Sequence, residues 1–403
     1  MKLGTYGPNS SYTFQISDEE LFQHLYVIGR TGTGKTTLLR NLIAQDLAAG
    51  ACVVLIEPHG DLSRDVVLDI PHGRDDDLIY YQPAHLPVSI GLNLLHGVHK
   101  DQRANVAGFL VSTFVTIFGD HAVGDRSQQL LRNSLIALLE REGETLLSVI
   151  RLLRDEAYQR SVIESIQDPL AKSYWQTEFQ LYTDDFRRQI TAPILNKLDA
   201  FFSYPAIRNS LAQPTSIDLQ RVIAEKQILI INLSDLAEGS NYLLGALCVS
   251  ALWSAARKVR APFRLYIDEF QHFTTHSISE ILSEARKFNL SLALAHQFWG
   301  QVPDEVKHAV FGNVGTLVSF GIGALDAPLL AKQFALTERA LQDIPNYKAF
   351  IRPLPPANAR HIETLPPPAP IRKSPDPLIA NSLTHFGKPR HFAEEQVQRH
   401  FPN

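Results

Sequence analysis

The sequence predicts an α/β fold, in which a mostly parallel β-sheet is covered by helices on both faces. Short apolar runs recur along the chain, and the run ACVVLI lacks any alternation, as expected of a strand buried on both faces. Helix-like stretches separate the runs, which favours parallel pairing. The predicted strands are residues 12–16, 24–28, 51–56, 228–233, 263–267, 290–295 and 316–320.

The composition is that of a globular protein of more than one domain. The chain has 403 residues, of which 45% are hydrophobic, and this excludes a disordered chain. Its 38 Lys and Arg residues against 42 Asp and Glu residues give a net charge of −4, which excludes a basic nucleic-acid coat. Any polyanion would have to be bound by a local patch or by an assembly of copies.

The sequence also predicts a cytoplasmic protein without a membrane span. Cys52 and Cys248 lie in apolar strings without partners at ligand spacing, as expected of reduced core thiols. No signal peptide is recognisable at the N-terminus. Residues 239–256 are uncharged but include Asn241 and several serines, so we expect a buried helix there.

Between residues 93 and 225 the alternation of strands and helices stops. Leucines mark one helical face and isoleucines mark a later one, with no strand-like run between them. We expect an all-helical insertion here. The two faces are Leu130, Leu131, Leu135, Leu138 and Leu139, and then Ile190, Ile194, Leu195, Leu198 and Phe201.

Residues 29–36, GRTGTGKT, match the pattern G-x-x-x-x-G-K-[ST] between a predicted strand and a predicted helix. Glycines let successive N–H groups point at phosphate oxygens, and the helix N-terminus adds its positive dipole end. Lys35 is expected to neutralise the β- and γ-phosphates and the Thr36 hydroxyl to bind Mg²⁺, so ATP and Mg²⁺ are the predicted ligands. The predicted nucleotide-binding residues are Gly29, Arg30, Thr31, Gly32, Thr33, Gly34, Lys35, Thr36 and Thr37.

The run FRLYIDEF ends in Asp268 and Glu269. Paired acids at a strand end can simply cap a helix, but beside a phosphate-binding loop they favour catalysis. Asp268 is then expected to hold the magnesium ion and Glu269 to polarise the attacking water. A glutamate next to the magnesium aspartate favours a hydrolysing motor over a small-molecule kinase.

Two further polar residues flank the strand that follows. Gln297 stands at its end, where an amide can touch the γ-phosphate or the attacking water, and a structural amide is the alternative. Arg286 lies at the edge of the apolar face of a predicted helix that runs from Ile278 to Asn289. Spacing alone predicts a solvated or snorkelling side chain for Arg286.

The order of these motifs resembles the FtsK–HerA superfamily of ring-forming DNA-pumping ATPases. The segments GRTGTGKTT, EPHGDL, YIDEF and SEARKFNLSLALAHQ carry the likeness, which runs from about residue 20 to residue 350. Within the superfamily the chain is most similar to the coupling proteins of type IV secretion and conjugation. This resemblance implies a RecA-like P-loop NTPase that works on DNA as a homohexamer. It also implies that Arg286 reaches the nucleotide of a neighbouring subunit as an arginine finger.

The chain departs from that pattern in three places. Glu57 stands where the family commonly has aspartate, which leaves its role near magnesium open. No membrane segment like that of typical coupling proteins is recognisable, and we expect the small β-barrel of HerA proteins to be missing as well, since only 28 residues precede Gly29. We therefore expect a stand-alone cytoplasmic relative, with recruitment to the inner face of the membrane by partners as an option.

Resemblance and composition together predict four segments. Residues 1–92 and 226–352 form the two parts of the ATPase domain, and residues 93–225 form the insertion between them. Residues 353–403 form a tail with nine prolines between Pro353 and Pro377, which either packs along the body or links to a partner.

Three functions remain open at this point. The first is a DNA-translocating motor of conjugative transfer, with a relaxase or a secretion channel as partner. The second is a HerA-like motor that serves a nuclease in DNA end processing or phage defence, with the tail as the docking element. The third is an ATP-controlled assembly switch that moves nothing.

Overall fold

A computed structural model describes residues 1–85, 87–119, 123–237, 239–274, 276–353 and 358–401. They fold into two compact units. The sheet unit comprises Met1–Tyr81, Leu219–Ser234 and Ala255–Ser382, and the helical unit comprises Gln82–Asp218, Asp235–Ser254 and Leu383–Asn403.

The described residues form thirteen β-strands. They are β1 (Lys2–Tyr6), β2 (Tyr12–Gln15), β3 (Leu25–Ile28), β4 (Val53–Glu57), β5 (Leu78–Tyr81), β6 (Val88–Ile90), β7 (Ile228–Asn232), β8 (Phe263–Ile267), β9 (Leu290–His296), β10 (Thr316–Ser319), β11 (Lys348–Arg352), β12 (Arg360–Thr364) and β13 (Gly387–Pro389).

The α-helices, like the strands, are numbered in chain order. They are α1 (Asp18–Leu21), α2 (Lys35–Ala48), α3 (Asp61–Leu68), α4 (Arg103–Phe118), α5 (Asp125–Leu139), α6 (Leu147–Arg154), α7 (Glu156–Ser165), α8 (Pro169–Ser173), α9 (Asp184–Phe202), α10 (Pro205–Leu211), α11 (Leu219–Ala224), α12 (Ser240–Val259), α13 (His276–Glu284), α14 (Asp304–Asn313), α15 (Ala327–Phe334), α16 (Glu338–Gln342), α17 (Asp376–Phe386) and α18 (Arg390–His400).

The sheet unit is built on one eleven-stranded sheet of order β2-β1-β12-β11-β10-β3-β9-β8-β4-β7-β5. The seven strands from β10 to β5 are parallel. The other four join them as an antiparallel extension. This arrangement confirms the predicted α/β fold with a mostly parallel sheet, and each predicted strand overlaps an observed one.

The central strands bring the predicted site residues to one edge of the sheet. β3, β9 and β8 are neighbours in the sheet, and each is followed directly by a predicted site motif. Because the carboxyl ends of parallel strands lie at the same edge, these motifs meet there. The strands pack as expected of a buried sheet, and every residue of β3, β4 and β9 is buried.

Of the antiparallel extension only β2 lies in a predicted strand, and part of the remainder comes from the proline-rich tail. β12 pairs with β11 on one side and with β1 on the other. The Asn41 Nδ2 amide on α2 donates to the carbonyl oxygens of Leu365 and Pro366 at 3.0 and 2.9 Å. Farther on, the backbone N–H groups of Ile371 and Arg372 both donate to the Leu68 carbonyl. This part of the tail therefore packs along the sheet unit, which is one of the two alternatives expected for the tail.

The helical unit has its own core. The leucines that mark the predicted face of α5 are all buried, as are Ile190, Ile194 and Leu198 on α9. The described residues between 93 and 225 contain no strand. A two-stranded antiparallel sheet of β6 and β13 lies outside that range, where Ile90 pairs with Gly387.

Among the residues that the structure describes, no helix combines the length and the apolar character needed to cross a membrane. Residues 240–256, most of the predicted buried helix, lie in α12, and its Leu244, Leu247 and Trp253 side chains are fully buried.

The strand pairing of the tail makes a testable prediction about stability. Ile362 on β12 is 1% exposed and belongs to the core of the sheet unit. We expect Ile362→Ala to lower the free energy of unfolding by about 2–5 kcal/mol, because it leaves a cavity. Urea denaturation followed by circular dichroism measures this change.

Glu363→Ala is the matched control, since its side chain lies on the exposed face of the same strand. A surface change of this kind shifts stability by roughly 0.5 kcal/mol or less. Equal effects of the two substitutions would mean that β12 is not part of the core.

Candidate nucleotide site

The loop between β3 and α2 adopts a conformation that depends on its glycines. Gly32 and Gly34 have φ values of +77° and +115°, in the left-handed region that glycine adopts at little cost. Gly29 has a different reason, because a Cβ there would lie 2.5 Å from the Phe320 Cβ. The loop therefore has the curled backbone that the motif predicts.

Lys35 is buried beneath this loop with its ammonium group held by the loop itself. Its Nζ donates to the carbonyl oxygens of Gly29 at 2.7 Å and Arg30 at 3.2 Å. Burial lowers the pKa of Lys35, while the nearby carboxylates of Glu269 and Asp268 raise it. An ammonium group whose hydrogen bonds go to neutral carbonyls can still neutralise an incoming anion.

Asp268 and Glu269 follow β8 directly, and both are buried. The backbone N–H of Glu269 donates to Asp268 Oδ1 at 3.0 Å. Burial, with added repulsion from Glu269 and Glu57, raises the pKa of Asp268 to about 6. Glu269 has a φ of +50°, which is strained for a residue with a side chain and is typical of functional sites.

A chain of side-chain hydrogen bonds connects the acid pair with the phosphate-binding loop. Gln297 Nε2 donates to Glu269 Oε1, and Thr31 Oγ1 donates to Gln297 Oε1 at 2.6 Å. We call this chain the Thr31–Gln297–Glu269 bridge. It brings together three of the predicted site residues, which come from the ends of three neighbouring strands.

Gln271 belongs to the same cluster and is not among the site residues predicted from the sequence. Its Nε2 donates to Glu269 Oε2 at 2.8 Å, so both carboxylate oxygens of Glu269 are held by amides. Gln271 lies in the 3₁₀-helix Phe270–Phe273 directly after the acid pair. Its position two residues after Glu269 was the only available signal.

His296, beside Gln297, is a structural residue of this edge. It is fully buried, and its ring is hydrogen-bonded to the Tyr26 hydroxyl on β3. Burial and the charge of Lys35 lower the pKa of His296 to about 3, which keeps the ring neutral. Its carbonyl accepts the backbone N–H of Gly29 at 3.3 Å, so β9 also fixes the start of the loop.

Glu57 is buried at the end of β4 and caps the turn that follows it. One carboxylate oxygen accepts the N–H of Gly60 at 2.7 Å, and the other accepts the N–H and the hydroxyl of Ser63 at 2.9 and 2.6 Å. Its charge reaches the acid pair by raising the pKa of Asp268. Glu57 therefore supports the turn before α3 and adds negative charge to the site.

The donors present suit magnesium. Thr36 is exposed in the first turn of α2, and Asp268 supplies a carboxylate. Glu269 and Glu57 repel the charge of this carboxylate, and a divalent cation would relieve that repulsion. Within the described residues no group of three or more His, Cys, Asp or Glu side chains is placed to hold a metal ion. Mg²⁺ does not need such a group, because it keeps several waters and shares phosphate oxygens with a nucleotide.

Arg286 is placed away from the loop of its own chain. It lies in the 3₁₀-helix Ala285–Phe288, into which α13 continues, and its side chain is exposed. That helix precedes β9, whereas Gln297 follows it. Seven residues of strand separate the two sheet edges by roughly 20 Å. Arg286 therefore lies at the opposite edge of the sheet from Lys35.

Comparisons with known proteins agree with this geometry. The family model described as "Helicase HerA, central domain" matches residues 1–252. This match confirms the resemblance to the FtsK–HerA superfamily. A comparison with curated proteins finds none of similar sequence.

Several solved structures share the fold. The bacterial conjugative coupling protein TrwBdeltaN70 matches with a TM-score of 0.66 and 15% identity over 89% of this chain and 87% of that chain. TrwB in complex with the ATP analogue ADPNP matches with a TM-score of 0.64 and 16% identity, over 89% of this chain and 88% of that chain. VirB4 of Thermoanaerobacter pseudethanolicus matches with a TM-score of 0.63 and 14% identity, over 92% of this chain and 96% of that chain. At such identities the likeness concerns the fold.

The raised pKa of Asp268 predicts that the charged carboxylate, which the site needs to hold magnesium, lowers the stability of the nucleotide-free protein. Between the ordinary pKa of 3.8 and the folded value of about 6, the folded chain binds more protons than the unfolded chain. Stability therefore falls as the pH rises through this window. We expect Asp268→Asn to stabilise the nucleotide-free protein by up to about 3 kcal/mol above pH 6 and by little near pH 4.

Thermal unfolding at several pH values, without Mg²⁺ or nucleotide, measures this gain. Asp304→Asn is the control, because Asp304 is exposed and Lys307 lowers its pKa. A gain that is the same at every pH, or equal in the control, would contradict the assignment.

Proposed function

The chain belongs to the family of the HerA helicase central domain, and on this premise we propose that it is an ATP-hydrolysing motor that moves DNA. The observation that carries the proposal is the Thr31–Gln297–Glu269 bridge beside the buried Lys35 ammonium. It joins the group that would polarise water to the loop that would hold the phosphates.

Each residue of the site has a role in this reaction. Lys35 exchanges the carbonyls of Gly29 and Arg30 for the β- and γ-phosphate oxygens of ATP. Glu269, oriented by the amides of Gln271 and Gln297, polarises the attacking water. The amide nitrogen of Gln297 carries a second N–H besides the one donated to Glu269, so it is suited to sense the γ-phosphate.

Magnesium would be held by Thr36 and Asp268. When bound, it supplies positive charge that neutralises the phosphates during transfer. The other loop residues, Gly29 to Thr37, bind the phosphates through backbone N–H groups and the start of α2.

We assign Arg286 to the site of a neighbouring copy in a ring, which is proposed to be a homohexamer. Its own loop lies at the other edge of the sheet, and the side chain is exposed. No side-chain hydrogen bond or ion pair of Arg286 occurs within the described part of the chain. A free cation at that edge is suited to a nucleotide carried by the next subunit.

A ring also reconciles a DNA partner with the net charge of −4. Six copies that each contribute a few basic side chains make a positive channel, while the exterior stays mildly acidic. The resemblance of the sequence motifs to coupling proteins, together with the description of TrwB as a conjugative coupling protein, favours DNA transfer in conjugation or type IV secretion. The HerA family favours the alternative, a motor that serves a nuclease, and the gene neighbours of this protein would separate the two.

The proposed motor makes a prediction about the rate of ATP hydrolysis. We expect ATP hydrolysis to rise several-fold with DNA, and Glu269→Gln to lower it by roughly 10²–10⁴-fold, because a general base is lost. Lys35→Ala should abolish it by weakening phosphate binding. Phosphate release at low salt, with and without DNA, measures these rates.

Glu284→Gln and Lys287→Ala are matched controls, since these two exposed or half-exposed side chains form an ion pair with each other, at 3.8 Å, and with no other residue that the structure describes. They should hydrolyse ATP like the wild type. An ATPase that is indifferent to DNA at low salt would refute the motor but not the nucleotide site.

The second prediction concerns the arginine finger. Arg286→Ala should lower turnover by about 10³–10⁵-fold, as fingers do, whereas Lys287→Ala should not. Mixed in equal amounts with Lys35→Ala protein, it should regain activity, because each variant supplies what its neighbour lacks. Random mixing completes roughly one site in four in a head-to-tail ring.

Hydrolysis by the mixture, compared with each variant alone, is the readout. If the activity of the mixture is only the average of its components, Arg286 does not act between subunits.

A further inference from the structure

Tyr347, in the segment before β11, is held in an unusual backbone conformation against the phosphate-binding loop. Its φ is +62°, in the left-handed region that disfavours a bulky side chain. Its N–H donates to the Thr33 carbonyl at 2.8 Å, and its own carbonyl accepts the N–H and the hydroxyl of Thr364. The loop on one side and β12 on the other thus fix this strained residue.

The ring of Tyr347 lies beside Gly34 and faces solvent. A Cβ on Gly34 would stand 3.1 Å from Tyr347 Cδ1 and 3.2 Å from the ring of buried Phe320. Yet Tyr347 is 53% exposed. A strained backbone that presents a half-exposed aromatic ring at this place is unnecessary for packing the core, and such strain is typical of functional sites.

The order of the strands places Tyr347 on the nucleoside side of the loop. β3, which leads into the loop, has β9 and β8 on one side and β10 and β11 on the other. The acid pair follows β8, so the γ-phosphate must face that side. The sugar and base then extend the opposite way, towards the segment that ends in Tyr347.

A second feature borders the same region. Asn41, on the second turn of α2, holds the carbonyls of Leu365 and Pro366. Residues 364–366 therefore run beside α2, starting from Thr364, which fixes Tyr347. The tail thereby continues the wall that Tyr347 begins.

We propose that the Tyr347 ring is the stacking platform for the base of the bound nucleotide. The inference rests on the proposed function, since it assigns the base subsite of the same nucleotide site. Stacking on an aromatic ring tolerates any base, because each has a π-face. The platform therefore contributes affinity for the nucleoside without selecting adenine.

The test compares two ligands, ATP and inorganic tripolyphosphate, both with Mg²⁺, by calorimetric titration of the full chain. We expect Tyr347→Ala to weaken ATP binding about tenfold and to leave tripolyphosphate binding unchanged, because only ATP carries a base. Tyr347→Phe should bind ATP like the wild type. Tyr12→Ala, which removes a tyrosine of similar exposure on the edge strand β2, is the matched control.

Tyr347→Gly separates stacking from backbone strain. Glycine adopts the left-handed conformation freely, so this variant relieves the strain and still lacks the ring. Loss of ATP affinity equal to that of Tyr347→Ala supports the platform. Wild-type ATP affinity in either variant would overturn it, and so would equal weakening of ATP and tripolyphosphate, which would mean that Tyr347 acts through the loop backbone.

The same titrations of the wild type and of Lys35→Ala test the proposed function separately. If the wild type binds both ATP and tripolyphosphate and Lys35→Ala binds neither, the nucleotide site is supported, whatever the effect of the Tyr347 variants. A wild-type protein that binds neither ligand would overturn the proposed function and the platform with it.

Discussion

The burial of like charges at one edge of the sheet is the constraint on which the rest of this structure depends. Glu57, Asp268 and Glu269 are all at most 5% exposed, and Lys35 is the cation whose charge acts on both Asp268 and Glu269. Burying ionised groups is costly unless each finds a partner. The local structure can be understood as the set of partners that makes this burial possible.

Each charge is satisfied by a different device. Glu57 caps the turn before α3, and Glu269 accepts from two glutamine amides. Lys35 donates to two carbonyl oxygens of its own loop. Burial and the repulsion from Glu269 and Glu57 raise the pKa of Asp268 to about 6. A cation bound at Asp268 would relieve this repulsion.

The C-terminal region contributes to this site from far along the chain. Asn41 and the carbonyl of Pro366 are separated by 325 positions, and Tyr347 connects the loop to β12 through Thr33 and Thr364. The loop and the helix of the phosphate-binding segment are therefore both held by residues that flank β11 and β12. A segment rich in proline suits this task, because its carbonyls accept hydrogen bonds although its nitrogens cannot donate them.

The parts of the site that were predictable from sequence are those encoded locally. The loop motif, the acid pair and Gln297 each stand within a few residues of an apolar run, so a strand end was enough to place them. β11, β12 and Tyr347 depend on pairings between distant segments, which no local pattern reveals. The tail was especially obscure, because Pro366 and its neighbours favour an extended chain whether or not it is bound to a fold.

Images of single particles of the Glu269→Gln protein with ATP and DNA would show directly whether the chain works as a ring around DNA. We expect closed rings with DNA in the central channel, and with Arg286 of each subunit at the nucleotide bound by Lys35 of the next. Single chains that bind ATP without assembling, or rings whose channel excludes DNA, would contradict this expectation.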